Sequence, residues 1–273
     1  MKNIKFYLAL LSAVLFFGCE DVVDVDLNTA PPKLVIEAAI KWYKNTPGNN
    51  QTIRLSTTTN YYATKIPIVS GATIFIKNST NTLFNFTEIP ETGNYVCTNF
   101  VPLLNETYIL TVIHKGSTYT ANEVLQAVAP ITEIRQNNQG GFGGQDIEIK
   151  AFYNDPENEI NYYLNNYAYR DQVKLDFYVD EDTFYNGNPF FSISQNEAIK
   201  KDDKIEITHF GISKSYYNYM SILVSLAGLS GGGPFQSPPA TVKGNIINTT
   251  NPANTALGYF SLSEATTLNY TVK

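Results

Sequence analysis

The run Thr107-Tyr108-Ile109-Leu110-Thr111-Val112-Ile113-His114-Lys115-Gly116-Ser117-Thr118-Tyr119-Thr120-Ala121-Asn122-Glu123-Val124 decides how the chain reads. Two stretches rich in β-branched and aromatic residues, Thr107–His114 and Thr118–Val124, flank the turn signal Lys115-Gly116. Such period-two runs, punctuated by turn residues, predict strands. Working outward, the pattern recurs upstream at Lys33–Trp42, Thr52–Thr58, Thr73–Asn78, Leu83–Ile89 and Asn94–Asn99. Pro47-Gly48-Asn49, Ser70-Gly71 and Glu91-Thr92-Gly93 supply further turns. Seven short strands in about 95 residues match an immunoglobulin-like or transthyretin-like β-sandwich, here over residues 33–128. Phe75, Phe84, Phe86, Tyr95, Tyr108 and Ile113 are its candidate core or face residues. A one-residue register error would exchange the faces.

Downstream, Gln126–Ile131 carries Pro130 and reads as a boundary. A second β-rich domain is expected over 131–273, with strands at Thr132–Arg135, Ile147–Tyr153, Tyr162–Tyr169, Val173–Val179, Ile205–Phe210, Thr241–Ile247 and Leu257–Leu262. Gln136–Gly144 reads as a hairpin loop rich in glycine. One helix is predicted over 215–229, where Tyr216, Tyr219, Met220, Leu223 and Leu226 follow the i, i+3, i+4, i+7 spacing. Ser215 is its candidate N-cap, and Gly231-Gly232-Gly233-Pro234 ends it. The fold class expected is therefore mainly β: an N-terminal sandwich, then a second β-rich domain with one α-helix.

The composition agrees. Hydrophobic residues make up 43% of the 273 residues, with 19 Tyr and 16 Phe, so a large core can form. Only 16% are charged. A disordered, coiled-coil or collagen-like chain is excluded. The formal charge of -6, with no basic cluster, speaks against nucleic acid as a partner. With 2 His and 2 Cys, little is left for metal or nucleophile chemistry, and no cofactor is expected.

The N-terminus reads as an address. Lys2 and Lys5 precede an apolar run from Phe6 to Phe17, too short to span a hydrocarbon core of ~30 Å but suited to a secretory leader. Leu15-Phe16-Phe17-Gly18-Cys19 closes it and resembles a bacterial lipobox, which implies cleavage after residue 18 and acylation of Cys19. Residues 1–18 are then a signal peptide and 19–32 a tether. Each buried methylene contributes about 0.8 kcal/mol, so two or more acyl chains anchor stably in outer-membrane lipid. A lipid-modified Cys19 leaves Cys97 without a disulfide partner, and Tyr95-Val96-Cys97 makes it a small buried strand residue. Glu20, Asp21, Asp24 and Asp26 follow the cysteine. They resemble the acidic lipoprotein export signal of Bacteroidota, which implies the outer membrane and its cell-surface face; in enterobacterial sorting acids beside the lipid cysteine can instead favour inner-membrane retention, and the same acids would also make a solvated tether.

With those acids, Leu34-Val35-Ile36-Glu37-Ala38-Ala39-Ile40 resembles the opening of a Bacteroidota lipoprotein family known as the domain of unknown function 4249 family. Gly71-Ala72-Thr73-Ile74-Phe75-Ile76, Tyr108-Ile109-Leu110-Thr111-Val112, Phe235-Gln236-Ser237-Pro238-Pro239-Ala240 and Ala256-Leu257-Gly258-Tyr259-Phe260 fit it too. The resemblance implies a β-rich surface or periplasmic lipoprotein and a TonB-dependent receptor as partner in nutrient uptake. It carries no catalytic motif.

Chemical motifs are sparse. Gly228-Leu229-Ser230-Gly231-Gly232 matches G-x-S-x-G, but a predicted helix precedes it and no histidine follows His209, so it reads as a helix-ending loop. His114 and His209 lack ligands at metal spacing and read as partly exposed strand residues. Asp180-Glu181-Asp182 and the trio Asp155, Glu157 and Glu159 read as solvated turns. Their other reading is a calcium loop, or a carboxylate pair for glycoside hydrolysis. Tyr162, Tyr163, Tyr167 and Tyr169 should divide between two sheet faces. Exposed tyrosines make recognition surfaces, so Phe142, Tyr162 and Tyr167 are the candidate partner contacts. The function expected is a non-enzymatic outer-membrane lipoprotein that assists a TonB-dependent receptor. The alternatives are a surface carbohydrate-active hydrolase or a structural or adhesive surface module.

Overall fold

His114 pairs with Ser117 across a two-residue loop, and Lys115 and Gly116 take φ of 48° and 76°. Two central residues at positive φ define a type I′ turn, whose twist suits a hairpin, and glycine enters that region without steric cost. The computed structural model describes residues 31–60, 63–141, 143–170, 175–194, 196, 198–226 and 242–273.

The first strands are β1 (Leu34–Tyr43), β2 (Gln51–Thr57), β3 (Thr73–Asn78), β4 (Leu83–Ile89), β5 (Asn94–Cys97), β6 (Thr107–His114) and β7 (Ser117–Val124). One layer runs β1-β2-β5-β4 and the other β4-β3-β6-β7. Strand β4 belongs to both: Phe84 and Phe86 lie opposite Ile76 and Ile74 of β3, whereas Thr87 and Glu88 lie opposite Val96 and Tyr95 of β5. This is the strand order of a constant-type immunoglobulin sandwich. Alternation sends Ile36, Ala38 and Ile40, Ile74 and Ile76, Phe84 and Phe86, and Tyr108, Leu110 and Val112 into one core with Ile53, Leu55 and Tyr95. Phe75 is half-buried and Ile113 exposed, on the opposite faces of their strands.

Tyr108 adds a fold-specific latch. Its hydroxyl donates to Val101 O at 2.8 Å and accepts from Leu103 N at 2.9 Å. A buried tyrosine early in the sixth strand, bonded to backbone just upstream, is the tyrosine corner of immunoglobulin-like domains.

The remaining elements are β8 (Ile131–Gly140), β9 (Asp146–Asn154), β10 (Tyr162–Tyr169), β11 (Leu175–Glu181), β12 (Pro189–Ile193), β13 (Lys204–Ile212), helix α1 (Lys214–Leu226), β14 (Ile247–Asn248) and β15 (Leu257–Thr271). Among the described residues β15 lies parallel to β1, from Val35 opposite Leu257 to Tyr43 opposite Ala265, and β13, β10 and β11 follow. The sandwich layer therefore continues into a twelve-stranded sheet, and β12-β9-β8 form a separate three-stranded one.

The division expected at residues 128–131 is not confirmed. Pro32–Lys273 is one compact unit. Leu125, Val128 and Ala129 are buried, Glu264 N donates to Gln126 O at 2.9 Å, and Val128 N donates to the Glu264 carboxylate at 2.9 Å. A true linker is exposed, whereas this crossing is stitched to β15. Gly258 permits the close approach of β15 to β1: its φ is +96°, and a Cβ there would sit 2.1 Å from Ile36 O.

The helix begins one residue earlier than expected. Ser213, not Ser215, is the N-cap, because its Oγ accepts from Tyr216 N at 3.2 Å. Met220 and Val224 are buried, while Leu223 and Leu226 remain exposed. Residues 227–229 of the predicted helix lie outside the described residues.

Candidate functional site

Strand β10 separates two environments. Tyr163, Asn165, Tyr167 and Tyr169 share one face, beside Ile205, Ile207 and His209 of β13, and that face meets the three-stranded sheet. Tyr162 and Leu164 share the other face, beside Phe210 and Ile212, and meet α1.

The first face holds a buried polar network. His209 is 1% exposed, its ring lying 4.3 Å from that of Tyr153 and 4.6 Å from that of Tyr163. The partly exposed histidine expected from sequence is thus a core residue. Its Nδ1 lies 2.6 Å from Asn165 Oδ1, and Asn165 Nδ2 donates to Asp180 Oδ2 at 2.9 Å. Because the Asn165 nitrogen serves Asp180, its oxygen accepts from the imidazole. His209 Nε2 is buried without a hydrogen-bond partner. Burial lowers the histidine pKa to about 3 and raises that of Asp180 to about 6. Desolvation penalises whichever form is charged, which moves the two in opposite directions.

The acidic clusters read as solvated turns divide in the same way. Asp155 is buried: it accepts from the Tyr163 hydroxyl at 2.6 Å and from Gly187 N at 3.0 Å, and desolvation raises its pKa. Asp182 is buried and accepts from Asn161 N at 2.8 Å. These two carboxylates tie the 155–161 loop to the 182–188 turn, while Glu157 and Glu159 stay exposed. Among the described residues no group of three or more His, Cys, Asp and Glu is placed to share a metal ion.

The second face carries an open groove of about 610 Å³. Its floor comes from β1, β15 and β13: Glu37, Ala39, Lys41 and Tyr43, then Ser261 and Ser263, then Glu206, Thr208 and Phe210. Its wall is α1, with Tyr219, Met220 and Leu223. Lys41 Nζ stands 5.5 Å from the Phe210 ring centroid, and desolvation lowers its pKa. The phenols of Tyr43 and Tyr219 have raised pKa values, through burial first and then through Glu206 and Glu37 respectively. Gln51 braces the rim, its amide accepting from Lys41 N and donating to Lys41 O and Gly48 O. Aromatic faces, one cation and two carboxylates in one open trough can hold and orient a segment of another molecule.

The expected contact residues fare unequally. Tyr167 is fully buried, its hydroxyl 2.8 Å from Ser192 Oγ, so it cannot meet a partner. Tyr162 is half-buried, its ring 5.2 Å from that of Tyr217. Phe142, Cys19, Glu20, Asp21, Asp24, Asp26 and the Gly228–Gly232 run lie outside the described residues. Cys97 is buried as expected, its thiol donating to Asn99 Oδ1 at 3.2 Å. Sequence reasoning missed Lys41, Tyr43, Glu206 and Asn165. The one signal was Asn165 itself, since asparagine is depleted in strand interiors.

Solved structures match the chain only at low identity and low TM-score. A segment of two fibronectin type-III domains from chicken tenascin matches at 10% identity and TM-score 0.22, covering 66% of this chain and 90% of that one. A DUF4785 family protein from Legionella pneumophila matches at 6% identity and TM-score 0.26, covering 65% and 52%. A pullulanase from an Anoxybacillus species, complexed with maltotriose, matches at 10% identity and TM-score 0.20, covering 64% and 24%. No curated protein matches the sequence. Residues 20–269 match the model of one family, so the chain belongs to the family described as Domain of unknown function (DUF4249).

Proposed function

We propose that this protein is a non-enzymatic lipoprotein of the outer membrane, anchored through acylated Cys19, and a partner of a TonB-dependent receptor in nutrient uptake. The observation that carries a binding role is the groove beside α1, where Lys41 and Phe210, Tyr43 and Tyr219 offer a mixed aromatic and charged surface next to half-exposed Leu223. The leader-like residues 1–18 and the acids after Cys19 support the placement at the membrane. The test is affinity purification of the full chain from mildly detergent-solubilised outer membrane. A large β-barrel protein should co-purify, and Leu223→Lys should cut its recovery by about tenfold, as loss of an interface anchor does. Recovery of the lipoprotein alone, or recovery indifferent to the groove, would contradict the proposal.

A further inference from the structure

Strand β11 ends the twelve-stranded sheet, and among the described residues nothing pairs with its outer side. Its backbone phase follows from two hydrogen bonds. Arg170 N donates to Lys204 O, so even-numbered residues of β10 bond to β13. Asp182 N donates to Asn161 O, so odd-numbered residues of β10 bond to β11 through its even-numbered residues. In an antiparallel ladder the intervening residues point the other way. The N–H and C=O groups of Leu175, Phe177, Val179 and Glu181 are therefore turned to the open edge.

The edge lies in a slot of about 510 Å³ with two unlike walls. On one side stand Tyr217 and Ser221 of α1, and on the other Phe191 and Ile193 of β12. Asp180 also lines the slot. Proline, charged side chains and β-bulges are the usual guards of such an edge; Leu175-Asp176-Phe177-Tyr178-Val179-Asp180-Glu181 contains neither proline nor lysine, and its charges are all acidic, Asp176, Asp180 and Glu181.

We propose that the β11 edge receives an extended segment of a partner protein as an added β-strand, with apolar side chains at alternate positions and a basic residue facing Asp180. Alternation would send one set of side chains against Tyr217 and Ser221 and the other against Phe191 and Ile193. Backbone pairing supplies affinity in strand addition, and alternate pockets supply selectivity. The acids Asp180 and Glu181 disfavour acidic segments and favour lysine or arginine. This inference goes beyond the groove reading and does not depend on it.

The test uses a displayed library of random ten-residue peptides, selected on the full chain and resynthesised. Selected peptides should alternate apolar residues, carry a basic residue and slow hydrogen exchange at the amides of Phe177, Val179 and Glu181. Val179→Pro removes an outward N–H that the ladder does not use, and Ser221→Arg narrows the slot without touching the backbone. Each should weaken binding by about tenfold or more. Val179 and Ser221 lie outside the groove lining, so failure here is distinct from failure of the groove variant. Equal binding by wild type and both variants, or protection on another strand, would overturn the proposal. Protection of these amides without peptide, rising with protein concentration, would place a second copy at the edge and overturn it as well.

Discussion

Between two tyrosine rings, His209 stays neutral down to a pKa of about 3, while burial keeps Asp180 protonated up to about 6. Their unperturbed values are 6.5 and 3.8. As pH falls below 6.5, the unfolded chain binds a proton at His209 that the folded chain refuses, so stability drops. As pH rises above 3.8, the unfolded chain releases a proton from Asp180 that the folded chain keeps, so stability also drops. Between about pH 4 and 6 the two slopes oppose and nearly cancel. Single substitutions should unmask them. His209→Phe should make stability fall as pH rises through that interval, and Asp180→Asn should make it rise, each by about 1–2 kcal/mol relative to wild type. Urea titrations at several pH values read both slopes; variants that keep the wild-type profile would contradict the network. At Tyr108, loss of the hydroxyl strands Val101 O and Leu103 N, so Tyr108→Phe should cost about 1–3 kcal/mol with an unchanged denaturant slope. Little of this was legible in advance. Asp180 and Asp182 look like surface acids in one dimension, because their partners Asn165 and Asn161 lie in a different strand or loop.

Strands were legible where alternation ran between clear turn residues. Thr73–Asn78, Leu83–Ile89, Thr107–His114 and Tyr162–Tyr169 form with the predicted bounds. Strand β12 was not predicted: it has only five residues, opens on Pro189 and follows the turn-forming Asn186-Gly187-Asn188, so it offers no run of clear alternation. Strand β15 was expected to stop at Leu262 yet reaches Thr271. The added length pairs with β13 from Ala265 to Thr271, and just before it the Glu264 carboxylate is buried, paired with Lys44 Nζ at 2.8 Å, and accepts from Val128 N. Glu264→Ala should therefore cost about 3 kcal/mol in chemical denaturation, the usual result of leaving such partners unpaired. Gly258→Ala should cost about 2 kcal/mol or more, since it adds backbone strain at positive φ to a clash with Ile36 O. An unchanged midpoint for Gly258→Ala would show that β15 can sit further from β1.

At the scale of the molecule, the sandwich was readable because its strands are local in sequence, and its union with the C-terminal half was not. The β1–β15 pairing joins Val35 to Leu257, and no short-range pattern announces a partner so far away. One consequence is cooperative unfolding. Trp42, the single tryptophan, reports on the sandwich, and the tyrosines around His209 report on the other half. Their fluorescence and near-ultraviolet circular dichroism should change at one denaturant midpoint; two separated midpoints would restore independent domains. The groove was invisible in the sequence for the same reason: Lys41, Phe210 and Tyr219 meet only through the β1–β15–β13 order and α1.

The proposed membrane attachment would set where that groove works, and it turns on one atom, the sulfur of Cys19. Intact-mass and peptide mass spectrometry of the protein extracted from membranes reads it directly. The chain should start at residue 19 and carry fatty acyl groups on that cysteine. A retained leader, or an unmodified Cys19 thiol, would contradict the proposed attachment.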